Sequence, residues 1–129
     1  MGELSQDAGP PSVTYTEREG YLEARFPATE KAPVVLALGR EMVRRCQDLK
    51  PARLPVDFSA LRIQPSTLER YEMGNVASQL APSVNRVAVV APASLIDPKK
   101  FGTQVASNRG LTVDIFPERE AAIAWLTAG

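Results

Sequence analysis

The spacing of hydrophobic positions changes several times along the chain, and each change marks a new element. Leu22, Ala24 and Phe26 alternate with Tyr21, Glu23 and Arg25, the period of two expected of a strand with one buried face. The β-formers Val13-Thr14-Tyr15-Thr16 precede it, and Glu17-Arg18-Glu19-Gly20 between the two runs suits a hairpin turn. From Thr29 to Leu49 the period lengthens. Val35, Leu38, Met42, Cys46 and Leu49 recur three or four residues apart, with Arg40, Glu41, Arg44, Arg45 and Asp48 opposite, which predicts an amphipathic helix. Thr29 is its expected N-cap, Pro33 fits only the first turn, and Pro51 ends it. Arg53 to Phe58 then reads as a buried strand. Pro55 removes a ladder donor there and is expected at the strand's start or facing a bulge.

The second half continues the alternation. Pro65-Ser66-Thr67-Leu68-Glu69 opens a helix running to about Leu80, capped near Ser66 or Gln64, with Leu68, Tyr71, Val76 and Leu80 as its inner face. Arg86 to Ala91 is almost unbroken in apolar residues and suits a strand covered on both faces. Asp97-Pro98-Lys99-Lys100 places an acid at an N-cap and a proline at the first helical position. That helix is expected to end near Asn108-Arg109, with Gly110 left-handed after it. Leu111 to Phe116 forms the last strand and Pro117 to Leu126 the last helix, with Glu118 and Glu120 at its positive end. The order is β-β-α-β-α-β-α-β-α: an α/β domain with a mixed, mostly parallel five-stranded sheet and helices on both faces.

Composition narrows the chemistry. The chain has 129 residues, 44% hydrophobic and 23% charged, ordinary for one globular domain with its own core. Residues 1–12, ending in Gly9-Pro10-Pro11-Ser12, read as a flexible leader, and 13–129 as the single domain. The N-terminus lacks the features of a secretory signal, and Met1-Gly2 with Ser5-Gln6 is a poor fit to a lipidation signal. Fifteen basic residues balance fifteen acidic ones, so no global field favours nucleic acid or an anionic membrane. No apolar run is long enough to span a bilayer. One cysteine, Cys46, precludes an internal disulfide and fits a cytoplasmic location. The absence of histidine removes the commonest general base and metal ligand, so neither a metal nor another cofactor is expected.

The ending carries a resemblance. A helix into Asn108-Arg109-Gly110, a strand Val113-Asp114-Ile115-Phe116, and Ala121-Ala122-Ile123-Ala124-Trp125-Leu126 together resemble the SpoIIAA-like, STAS-related family of small bacterial proteins. Arg86-Val87-Ala88-Val89-Val90 resembles the core strand before them, and the element order agrees over residues 13 to 127. The resemblance implies a SpoIIAA-like fold. In the anti-sigma-factor antagonists of that superfamily, Asp-Ser-Ser-Gly after the third strand carries a phosphorylated serine at a helix start. Here the stretch reads Asp57-Phe58-Ser59-Ala60-Leu61-Arg62-Ile63-Gln64-Pro65-Ser66-Thr67-Leu68. Ser66 falls at the comparable helix start, but the preceding acid and following glycine are missing, so the phosphoserine switch is not expected.

Candidate site residues follow from topology. In a parallel sheet, Ser59 after the third strand and Ser94 after the fourth face the crevice at the carboxyl ends, where α/β ligands bind. Ser66 and Thr67 sit at a helix start that favours an anion, and Lys99 and Lys100 can reach the same rim. Each also has a structural role: Ser66 as a cap, the lysines as exposed residues of a helix's first turn. Asp57 could act as a general base, but a turn-capping role fits it better. Arg44-Arg45 with Lys50 and Arg53 reads as a solvated face, Cys46 and Trp125 as packing residues, and Tyr71 and Met73 as core in preference to a self-association surface. The expected function is a non-enzymatic protein-interaction or regulatory module, with an unidentified protein partner or a second copy of itself. The alternative is a binder of a small molecule, anion or lipid in the carboxyl-end crevice.

Overall fold

The computed structural model describes residues 10–128. Residues 1–9 of the expected leader, with the Met1-Gly2 start, lie outside them. Pro10, Pro11 and Ser12 are exposed and without regular structure. The described elements are β1 (Thr14–Arg18), β2 (Tyr21–Arg25), α1 (Ala32–Leu49), β3 (Arg53–Asp57), α2 (Thr67–Ser78), β4 (Arg86–Val90), α3 (Phe101–Asn108), β5 (Val113–Phe116) and α4 (Arg119–Thr127), with a short 3-10 turn at Ala93–Leu95. The α/β order read from the pattern is the order observed. β1 runs two residues further than expected, so the hairpin closes at Glu19-Gly20, where Gly20 takes φ +90.

The sheet order is β1-β2-β3-β4-β5; β1 and β2 are antiparallel and the rest parallel. Each crossover from β2 onward moves one strand in the same direction, and crossovers of one hand then put their helices on one face. Accordingly α1, α2 and α3 share a core with one side of the sheet: Val35, Met42, Cys46, Val76 and Ala106 pack with Leu54, Val56 and Val87. The other side is covered by α4 alone, through Ala122 and Leu126 against Ala88 and Val90, with Phe116 and Trp125 beside them. Arg86 fastens the end of α4, donating from Nη1 to the Trp125 carbonyl at 2.7 Å with its guanidinium 4.6 Å from the indole centroid.

Several local expectations are corrected. Pro55 is neither at the start of β3 nor beside a bulge; it is mid-strand, paired with Ala88 of β4. Phe58 N–H donates to Val90 O, and Asp57 O accepts from Phe26 N–H, so odd-numbered residues of β3 aim their main chain at β2. The donor Pro55 lacks would therefore point at β2. The β2–β3 ladder begins only at Ala24↔Val56, so it lies beyond the point where a donor at Pro55 would be needed, and the proline is tolerated. Thr29 is not the cap of α1. Lys31 holds that position, with proline in the first turn, while Thr29 forms a parallel bridge with Leu61. Leu49 leaves the apolar stripe and is half exposed, because Lys50 turns left-handed (φ 45) and ends the helix. Helix α3 starts at Phe101, not at Pro98. Lys100 N–H closes a turn on Asp97 O, and Asp97 Oδ2 accepts from Phe101 N–H at 2.9 Å.

The inner face of α2 is also displaced. Leu68 and Tyr71 are exposed, at 66% and 38%, and the residues turned inward include Gly74, Val76 and, just past the helix, Leu80. The reason is α3. A Cβ at Gly74 would collide with the Gly102 carbonyl oxygen and stand 2.9 Å from Val105 Cβ; one at Gly102 would stand 3.0 Å from the Arg70 carbonyl oxygen. The helices meet backbone to backbone, and glycine rather than a large apolar residue marks their contact. The expected end of α3 is found, with Asn108 last and Gly110 at φ +101.

Glu23 departs furthest from its pattern. It alternates outward as expected, yet it is buried (4% exposed), because Arg119 of α4 donates to both its carboxylate oxygens, at 2.9 and 3.1 Å. Arg18 adds a 3.3 Å contact, and Arg119 also bonds the Tyr21 hydroxyl at 3.1 Å.

Two outcomes follow. Gly74→Ala is expected to lower unfolding stability in urea by about 1–3 kcal/mol, the usual cost of forcing an atom into a filled contact; wild-type stability would show that the helices are not in backbone contact. The hydrogen bonds from Arg119 hold the Glu23 carboxyl below its ordinary value. Its stabilisation is therefore complete above the ordinary glutamate range and fades as pH falls through the lowered value. Urea unfolding of wild type and Glu23→Gln across that range should show a gap that closes on acidification; a pH-independent gap would contradict it.

Candidate functional site

Two regions compete for a functional role: the turns at the carboxyl ends of the strands, where the expected residues lie, and a cavity between sheet and helices. In the first, Asp57 is buried and its Oδ1 accepts from the Ser59 N–H at 2.8 Å, the turn-capping role expected of it. Its other oxygen lies 3.4 Å from Arg25 Nε. Ser59 is exposed, and its carbonyl accepts from Arg62 Nη1 at 2.9 Å. Ser66 caps α2 reciprocally. Its hydroxyl accepts from Glu69 N–H at 3.1 Å while Glu69 Oε1 accepts from Ser66 N–H at 2.9 Å, so two free backbone donors are satisfied at once. Thr67, the first residue of α2, is exposed. Ser94 is exposed on the 3-10 turn, and Lys99 is exposed in the turn before α3. All five stand on connections leaving the carboxyl ends of β3 and β4, but none lines the cavity.

The cavity lies under α2 and α3, against the middle of the sheet, and has a volume of about 130 Å³. Val87, Val89 and Val113 form its floor, and Met73, Ala77 and Ala106 its roof. Phe26 and Phe58, edge to face at 4.8 Å, also line it. The glycine contact shapes this space: Gly74 and Gly102 line it too, leaving α2 and α3 close together with little side chain between them and the sheet.

Four residues with polar side chains are among those lining the cavity: Arg70, Asp97, Lys100 and Thr103. Arg70 Nη1 donates to the Leu95 carbonyl at 3.0 Å, tying α2 to the 3-10 turn. Asp97 is occupied by the start of α3. Lys100 sits at φ 50, a left-handed state costing a non-glycine residue about 1–2 kcal/mol. Its backbone bond to Asp97 and a 3.0 Å pair between Nζ and Asp114 Oδ1 hold it there. Of these residues, the sequence pattern singles out Lys100 as able to reach the rim. It gives no reason to choose Arg70, although glycine inside the helical runs at Gly74 and Gly102 is a visible sign of close approach.

Cys46 is fully buried on α1, and burial pushes its thiol up to about 11, so it is held as an unreactive core residue. Among the described residues there is no cluster of three or more histidine, cysteine or acidic side chains able to hold a metal ion. No described helix is long and apolar enough to cross a membrane. Comparison with protein-family models, with curated proteins and with solved structures finds no match to the chain.

The reciprocal cap makes Ser66 testable as a structural residue. Ser66→Ala should cost about 1 kcal/mol of stability, and Ser66→Asp, which can still accept from the Glu69 N–H, much less. Equal losses in urea unfolding would contradict the capping role.

Proposed function

We propose that this domain is a non-enzymatic module that holds a small, largely apolar molecule between its helical layer and its sheet. The cavity carries this reading. Space of this size inside a close-packed protein is uncommon, and a half-open pocket walled mainly by Val, Met, Phe and Ala, with polar residues only at its border, suits an apolar group. The position also makes sense for signalling. A molecule seated under α2 and α3 would bear on the two helices whose spacing is set by bare backbone, so occupancy could be read on their outer surface.

A second reading, a protein-interaction module resembling STAS-type domains and lacking their phosphoserine switch, is supported by one observation. Leu68 and Tyr71 are exposed one turn apart on α2, with Arg109 stacked 5.6 Å from the tyrosine centroid. The two readings are compatible, since a ligand-responsive α2 could present that face to a partner or a second copy. The family resemblance fits either reading through its fold alone.

The direct test is ligand-dependent stability of the full chain with a benzene-sized probe such as toluene. A ligand at ten times its Kd stabilises the native state by about 1.4 kcal/mol, a shift of about 4–8 °C in Tm for a domain of this size. Ala77→Leu, which places extra atoms at the cavity roof, should abolish the shift. No shift in the wild type at saturating toluene, or an undiminished shift in Ala77→Leu, would refute the cavity as the site.

A further inference from the structure

The polar groups around the cavity are not equally committed. Asp97 Oδ2 is engaged by the Phe101 N–H, and Lys100 Nζ by Asp114. Arg70 differs. Its side chain makes one hydrogen bond, to the Leu95 carbonyl, and no ion pair among the described residues. A guanidinium carries five donors in a planar fork. Among the described residues most of that fork has no partner, although Arg70 is half-buried and borders the apolar cavity. A cation in such a place favours an anion over a neutral polar group, and a planar carboxylate matches its geometry with two parallel charge-assisted bonds.

Size sets the other end of the ligand. The chamber, about 130 Å³, is close to the engineered cavity of about 150 Å³ that accepts benzene. It can therefore hold an apolar body of roughly six to eight non-hydrogen atoms, and a longer chain would extend past the rim. Resting on the ligand-binding reading above, we propose that the ligand is a small amphiphilic carboxylate, a short fatty acid or an aromatic acid. Its apolar body lies beneath Met73 and Ala77, and its carboxylate is held by the fork of Arg70. Lys100 adds a second positive charge to the rim, tempered by Asp114. Asp97, though acidic, faces the amino end of α3, where backbone donors and the helix dipole compensate it. No covalent step is involved: binding is reversible, and Arg70 is a recognition residue.

The test compares acids with neutral counterparts of the same shape on the full chain, by titration calorimetry at neutral pH: hexanoate against 1-hexanol, and benzoate against benzyl alcohol. Wild type should bind each acid about tenfold or more tightly than its alcohol, the worth of a charge-assisted bond over a neutral one. Arg70→Gln should lose that preference while holding the alcohols within about twofold, since the apolar contacts remain. Arg70→Lys, which keeps the charge but not the fork, should fall between them and guards against a folding defect in the glutamine variant. Acids and alcohols binding equally to the wild type, or a preference that survives Arg70→Gln, would overturn the carboxylate assignment and leave the cavity reading standing. Binding of neither acids nor alcohols would overturn both.

Discussion

Every connection from β2 onward joins neighbouring parallel strands, and this constraint determines where the helices can go. Crossovers of a single hand, each stepping one strand further, deliver α1, α2 and α3 to the same face of the sheet. That face carries a thick helical layer. The opposite face is left to whatever follows β5, and α4 alone covers it. A nine-residue helix cannot shield five strands, so the polar side of β2 would be bare. Arg119 solves part of this by reaching from α4 to Glu23, and Arg18 approaches from the hairpin partner. The ion pair works as a side wall, sealing the region α4 does not reach. Since a buried carboxylate is costly unless fully hydrogen-bonded, the pair specifies where α4 docks more than it adds net stability.

The crowding of three helices on one face explains the cavity. Helices normally stand 8–10 Å apart because side chains separate them, but α2 and α3 approach until their glycine backbones touch. Residues that could have filled the space beneath are small at Ala77 and Ala106. The same approach turns Leu68 and Tyr71 away from the core. Cavity and exposed apolar face thus both border one contact, the geometric premise of the proposed link between them.

Much of the fold was legible because its signals are local. Alternation in Tyr21–Phe26, the three-and-four spacing of Val35 to Cys46 and the unbroken apolar run from Arg86 each have one sensible structural solution. Gly110 and the turn at Asp57 were legible for the same reason, since a left-handed residue and an Asx-type cap depend on immediate neighbours. What escaped depends on distant partners. The burial of Glu23 rests on Arg119, 96 positions away. The tolerance of Pro55 rests on where the β2 ladder begins. On α2, Val76 and Leu80 face inward as their spacing suggests, but Leu68 and Tyr71 do not, because the contact with α3 is made by glycine, which carries no hydrophobic signal. The candidate site was least legible of all. Ser59, Ser66, Thr67, Ser94 and Lys99 are legible as polar residues at the carboxyl-end crevice and stand on the connections leaving β3 and β4, while the cavity lies deeper and is built from residues that read individually as core.

An apolar pocket reaching into a core is either a packing defect or a site, and the two differ in what enters. The decisive measurement is an intermolecular NOE experiment on the full chain with toluene, using methyl-labelled valine, alanine and leucine. A ligand seated between helices and sheet predicts contacts to the methyls of Val87, Val113 and Ala106, and none to Ala122 or Leu126 on the face under α4. Contacts confined to Ala122 and Leu126, to exposed Leu68, or to no methyl at all would contradict the presence of a binding chamber beneath α2 and α3.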